Sequence, residues 1–229
     1  MTRYRLVLLA GLVVAVGCGQ SSAPSTPPTP SIRVYTTNFS LAEEPISENG
    51  NWINGQAIGL DWTNARTTPG LAFGTETGSG GYDDTVALLT GTWGPDQTVE
   101  ATVYTVHQNA NITEELELRL RSSLSANRCT GYEVLFNVLG SIQIVRWNGP
   151  LGGFTVLGGP GGPKLTTGDV VKATIVGSTI TAYVNGVQKL QVIDSTYSNG
   201  SPGMGFFLGR GGAPGMNRDY GFTSFRASY

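Results

Sequence analysis

The sequence is poor in the residues that carry most site chemistry: two cysteines, one histidine and 13% charged side chains in 229 residues. Two cysteines make no disulfide framework, and neither Cys18 nor Cys129 has neighbours at the spacing of a zinc site or a thiol catalytic pair. Cys129 reads as a buried small apolar residue. Fourteen basic and sixteen acidic residues leave a net charge of −2 with no long run of either sign. The concentrated positive footprint of a nucleic-acid binder is therefore absent. Long helical periodicity is missing, and so is the G-x-S-x-G turn of a serine hydrolase. The glycine-rich segment "GGFTVLGGPGGPK" (152–164) lacks the G-K-[ST] ending of a phosphate loop and no helix follows, so it reads as a loop between strands. "LGRGGAPGMNRDYG" reads as another loop, long enough to rim a groove.

What is abundant is glycine, 33 residues, together with threonine and short alternating apolar runs, the mark of many strands joined by tight turns. The first residues stand apart. "MTRYRLVLLAGLVVAVGCGQ" has a basic start, an apolar run from Leu6 to Val16 too short to span a bilayer comfortably, and then Cys18. "AVGC" resembles a bacterial lipobox with Ala15 in place of the usual leucine, which makes Cys18 the lipidation site and residues 1–18 the signal; the alternative is an ordinary signal peptide cleaved nearby. Residues 19–31, "GQSSAPSTPPTPS", read as an extended polar tether. The expected localisation is the bacterial cell envelope, lipid-anchored at the outer membrane or cell surface, with the membrane contacted through that lipid alone.

From Ile32 to the end, residues 32–229, the chain reads as one β domain of about a dozen strands, hence a sandwich or barrel. "QTVEATVYTVHQ" and "GYEVLFNVLG" alternate as half-buried strands. "GDVVKATIVGSTITAYVNGVQKLQVID" reads as a meander whose Asn185-Gly186 suits a type I′ turn. In "EELELRLRSS", Leu116, Leu118 and Leu120 alternate with Glu115, Glu117, Arg119 and Arg121. Residues two apart on a strand share a face about 6.5–7 Å apart, so the leucines are expected in the core and the charges outside.

The succession "NFS…GNW", "TVEATV", "LELRLR", "GYEVLF", "IQIVRWNG", "GDVVKATIVGSTITAYVNGVQ", "PGMGFFL" and "YGFTSFRA" resembles concanavalin A-like lectin/glucanase domains, closest to the laminin-G-like and bacterial sugar-binding members, over nearly all of 32–229. The resemblance implies an all-β jelly-roll β-sandwich of two curved antiparallel sheets, with any ligand groove on the concave one. It also implies, for many members, a structural calcium ion between the first and last strands; the corresponding carboxylates are Glu43, Glu44 and Asp219. The alternative for those three is that they are solvated loop acids.

Such a domain holds a polysaccharide or other glycan with planar polar groups on hydroxyls and a ring on the apolar sugar face. The expected contacts are Glu117, Arg119 and Arg121 with Glu133, Asn137, Gln143 and Trp147 from neighbouring strands; Tyr104 is a second aromatic candidate. The competing reading is a wet sheet face with cross-strand ion pairs, each worth only about 0.2–1 kcal/mol. Retaining glycosidases of this fold carry an E-x-D-x-(x)-E strand, and here Arg119 stands where the third acid belongs, which counts against hydrolysis by that route. A polysaccharide lyase would use His107, Arg119 and Tyr132, although His107 precedes the "LELRLR" strand where alginate-lyase motifs place it after. The leading expectation is a surface-tethered, lectin-like glycan binder, with a lyase or hydrolase of the same fold, or a protein-binding adhesion module, as alternatives.

Overall fold

The computed structural model of the protein describes residues 32–81, 84–106, 111–150 and 152–229. The alternation becomes two antiparallel sheets, with fifteen strands among the described residues. The back sheet runs β13 (Val187–Ile193), β12 (Thr179–Val184), β11 (Val170–Val176), β6 (Gln97–Thr105), β15 (Tyr220–Ser228), β4 (Leu71–Phe73) and β3 (Arg66–Thr68), with β1 (Val34–Thr37) also paired to β15. The front sheet runs β10 (Phe154–Gly158), β9 (Ser141–Pro150), β8 (Arg128–Asn137), β7 (Glu114–Ser125), β14 (Ser201–Leu208), β5 (Asp84–Leu89) and β2 (Trp52–Asn54). Strands distant in sequence lie side by side, β14 between β7 and β5 and β15 beside β6, as a jelly-roll sandwich requires.

The inner faces meet in one apolar core. Leu116, Leu118 and Leu120 are fully buried there with Val99, Val103, Phe136, Phe206 and Phe222. Each such side chain contributes about 1.5–3 kcal/mol when removed from water, so this row anchors β7 and fixes which residues its other face presents. The meander matches its sequence reading: Asn185 and Gly186 both have positive φ, 51° and 75°, as a two-residue type I′ turn needs.

One reading changes. The segment 152–164 contains a strand, because Phe154, Thr155 and Val156 pair with Trp147, Arg146 and Val145 at the edge of β9; only the glycine- and proline-rich remainder is loop. The stretch after β2 adds a further element of packing. A 3-10 turn at Gly55–Ile58 leads into Leu60 and Trp62, which pack onto Val86, Leu88, Cys129, Val145 and Trp147. Those five belong to the outer side of the front sheet, so a third layer covers part of it. Asn54 holds this segment in place, donating to Ile46 O and accepting from Ala65 N at 2.8 and 3.1 Å. Among the described residues no helix is long and apolar enough to cross a membrane.

Candidate functional site

The strand register assembles the outer face of the front sheet. Glu115, Glu117 and Arg119 of β7 stand opposite Asn137, Leu135 and Glu133 of β8. Gln143 and Val145 of β9 lie beyond Leu135 and Glu133, and Phe154 of β10 lies opposite Trp147. On the other side of β7, Phe207 and Gly205 of β14 face Glu115 and Glu117, and Asp84 of β5 faces Phe207. Gly205 is required here. A Cβ at that position would collide with Glu117 Oε2 and reach Arg119 Nε at 3.1 Å.

The covering layer divides this face into a buried half and an open half. In the buried half, Arg119 is 0% exposed and lies beneath two rings, its guanidinium 5.2 Å from the Trp62 centroid and 5.7 Å from that of Trp147. It donates to Glu117 through Nη2. Its Nη1 lies 2.7 Å from Glu133 Oε2, an oxygen that accepts its aligned hydrogen bond from Trp147 Nε1 at 2.6 Å. Burial works to lower the Arg119 pKa, but Glu117 and Glu133 outweigh it and the guanidinium stays charged. Cys129 shares this layer, and burial pushes its thiol up to about 12, which makes it inert as a nucleophile.

The open half is a pocket of about 260 Å³ lined by Asp84, Glu115, Glu133, Gln143, Trp147, Phe154 and Phe207, with Gly81, Leu135 and Val145 completing the wall. Carboxylate and amide groups therefore converge between aromatic rings. Glu115 is held up at about 8, first by burial and then by the charges of Glu133 and Asp84. A larger hollow of about 450 Å³ along Gly159–Pro163 offers backbone, Lys189 and Leu190, with no ring to cover a ligand.

The expected contact row is thus redistributed. Glu133, Gln143 and Trp147 line the pocket. Glu117 and Arg119 are on the predicted face but buried at 1% and 0%, so the expectation that they lie outside fails: Trp62 and its segment roof them. Arg121 leaves that face altogether. A register shift between Leu120 and Ser123, with Arg121 at φ 45°, breaks the alternation. Its guanidinium instead donates to Pro95 O, Tyr197 O and Gly177 O at 2.6, 2.9 and 2.7 Å, clamping the end of the sandwich. Asn137 caps the following turn by accepting from Leu139 N at 2.8 Å. Sequence reasoning missed Asp84, Phe154 and Phe207 as site residues, and left Glu115 out of the contact set.

The lyase set does not assemble. Tyr132 is on the inner face, its hydroxyl bonded to Asp194 Oδ1 at 2.7 Å and pushed up to about 12 chiefly by burial, while Arg119 is on the outer face; His107 lies outside the described residues. Glu43, Glu44 and Asp219 do not come together: among the described residues no three acidic, His or Cys side chains converge. Glu43 accepts from Ser47 N and Glu48 N at 3.1 and 2.9 Å, and Glu44 pairs with Arg66 at 2.9 Å. Cys18 lies outside the described residues.

Two stacked antiparallel sheets in this strand order, with a polar and aromatic pocket on one outer face, define the concanavalin A-like lectin/glucanase fold. Similar solved structures include the carbohydrate-binding module CBM66 from Bacillus subtilis, with a TM-score of 0.53 and 16% identity over 70% of this chain and 92% of the other. Porphyranase B from Zobellia galactanivorans has a TM-score of 0.51 and 14% identity over 90% and 97% of the two chains. The carbohydrate recognition domain of Emp46p in its potassium-bound form has a TM-score of 0.51 and 12% identity over 83% and 94%. At such identities the likeness is one of fold. No protein-family model matches the sequence, and no curated protein matches it significantly.

Proposed function

We propose that this domain binds carbohydrate in the pocket on the outer face of the front sheet, and that an acylated Cys18 followed by the tether 19–31 holds it at a bacterial membrane surface. The observation that carries the binding reading is the pocket itself: rings from Trp147, Phe154 and Phe207 around the polar heads of Asp84, Glu115, Glu133 and Gln143. Rings cover the apolar face of a sugar, and fixed polar groups take its hydroxyls. Similar folds that carry names for carbohydrate binding and glycan cleavage support the same reading. The tether reading rests on the lipobox-like "AVGC" and the composition of 19–31.

Phe154 is the clean test, being 52% exposed and on an edge strand. A ring that buries about 60 Å² against a sugar contributes roughly 1.5 kcal/mol, so Phe154→Ala is expected to weaken glycan binding about tenfold with an unchanged melting temperature. A glycan array screened with the purified domain finds the ligand, and calorimetry on the best hit measures the loss. Wild-type protein with no array hit, or Phe154→Ala with undiminished affinity for the hit, rejects the pocket.

One observation favours a second reading, hydrolysis at the same place. Glu115 keeps a proton at neutral pH, as a general acid must, and Asp84 and Glu133 share its pocket. Release of reducing ends by the wild type, lost in Glu115→Gln while binding persists, establishes it; their absence from every glycan the protein retains leaves binding alone.

A further inference from the structure

If the pocket on the front sheet holds carbohydrate, its charge decides which class of sugar it takes. Asp84, Glu115 and Glu133 line it, and among the described residues no lysine or arginine does. The strand register explains the gathering. Asp84 stands beside Phe207 and Phe207 beside Glu115, so β5, β14 and β7 set two acids about one ring in a single row. Glu133 comes from β8, opposite Arg119. That guanidinium is out of a ligand's reach, being 0% exposed beneath Trp62 and Trp147.

Two of the acids keep binding capacity toward the pocket. Glu133 is 4% exposed, and both its hydrogen bond from Trp147 and its ion pair with Arg119 end on Oε2, which leaves Oε1 to a ligand. Glu115 holds a proton up to about pH 8, because burial and the charges of Glu133 and Asp84 disfavour a further negative charge there. The same field repels an anionic ligand and attracts a cationic one. An ammonium group set against Glu115 takes the place of that proton as counter-charge. A metal ion does not suit the arrangement, since among the described residues no three acidic, His or Cys side chains converge to ligate one. The acids are spread along a wall that also carries the rings of Trp147, Phe154 and Phe207, and ring faces attract an ammonium group as well as covering a sugar. A uronate or sulfated sugar would set like charges together, and a neutral or N-acetylated one would leave the carboxylates uncompensated. On the carbohydrate reading of this pocket, we propose that it selects glycans bearing free amino sugars, such as glucosamine units, whose ammonium group pairs with Glu115 and Glu133 while the ring packs on the aromatic side chains.

The test is a glycan array on which each linkage carries the sugar in hydroxyl, free-amine, N-acetylamine and carboxylate forms, β-1,4-linked glucosamine oligomers among them. Calorimetry then compares the best hit with its homologues. The free amine is expected to bind about tenfold more tightly than the hydroxyl and N-acetyl forms, a difference of about 1.4 kcal/mol, and the carboxylate form to be rejected. Glu115→Gln is expected to cut that preference to about threefold, and Asp84→Asn does the same should Glu115→Gln not fold. Glu100→Gln, which removes an acid from β6 of the back sheet, keeps the preference in full. A best hit bound equally well in amine and hydroxyl forms, or better as the carboxylate, overturns the proposal and leaves the pocket as a sugar site. An array with no hit rejects both. A preference that survives in full in a folded Glu115 or Asp84 variant, or vanishes in Glu100→Gln, assigns the attraction to the charge of the whole protein and overturns the proposal too.

Discussion

Arg119→Ala is expected to cost about 3–5 kcal/mol, the range for removing one partner of a buried ion pair, which lowers the melting temperature by roughly 6–15 °C in a domain of this size. The guanidinium is 0% exposed, sits against Glu117 and Glu133, and lies beneath Trp62 and Trp147. Truncation leaves two carboxylates in that layer with no cation, and a cavity under the two rings. Neither can be relieved by water without lifting the segment that carries Trp62. The penalty carries its own signature: burial already raises the Glu117 carboxyl and Arg119 is the group that opposes it, so once the guanidinium is gone Glu117 sheds its charge by taking up a proton and the deficit shrinks as pH falls. The companion variant Glu117→Leu/Arg119→Met/Glu133→Gln removes the charges together and keeps an acceptor for Trp147 Nε1. It recovers most of the loss, as buried ionic groups replaced by well-packed neutral ones generally do. Chemical and thermal unfolding of the three proteins across pH decides it, and a melting temperature for Arg119→Ala within about 2 °C of wild type refutes the account.

The same residue shows where sequence was informative and where it was silent. Alternation told which side of β7 goes inward, because burying Leu116, Leu118 and Leu120 outweighs any other placement of that strand. It could not tell that the other side is covered, because the cover comes from Leu60 and Trp62, some sixty residues away, in a stretch whose glycines and asparagines carry no periodic signal. Arg121 failed for a local reason: a bulge resets the alternation, and nothing in "RLRSS" announces an arginine at positive φ. Phe154 was hidden by the glycines around it, and Asp84 and Phe207 by topology, since β14, far away in sequence, pairs directly with β7 and carries β5 on its other edge. The glycines of "GMGFFLG" were a usable clue: alternate glycines on a buried strand imply something bulky on that face, here the Glu117–Arg119 pair beside Gly205.

Glu115→Gln is expected to alter the pH dependence of stability more than stability itself at acid pH. The Glu115 carboxyl rises from 4.5 to about 8 in the folded protein, first through burial and then through the charges of Glu133 on β8 and Asp84 on β5. Between those values the folded chain holds a proton that the unfolded chain has released. More protons on the folded side make the slope of unfolding free energy against pH negative. The contribution of Glu115 is therefore complete below about pH 4.5 and is lost as pH rises through about 8. Taken fully, such a shift is worth 1.36 kcal/mol per unit; Glu115 is only half-buried at the pocket mouth, and screening reduces the change to about 1–3 kcal/mol. Wild type should thus lose that much relative to Glu115→Gln between pH 5 and 8, with the two curves converging below pH 4.5. On the proposed function, affinity for a glycan is expected to follow the same proton: below about pH 8 Glu115 can donate to a sugar hydroxyl, above it only accept, so the pH dependence of affinity between 6 and 9 is expected to disappear in Glu115→Gln. Parallel unfolding curves for the two proteins from pH 5 to 9 would show that Glu115 is ionised throughout and that Arg119 neutralises the whole cluster.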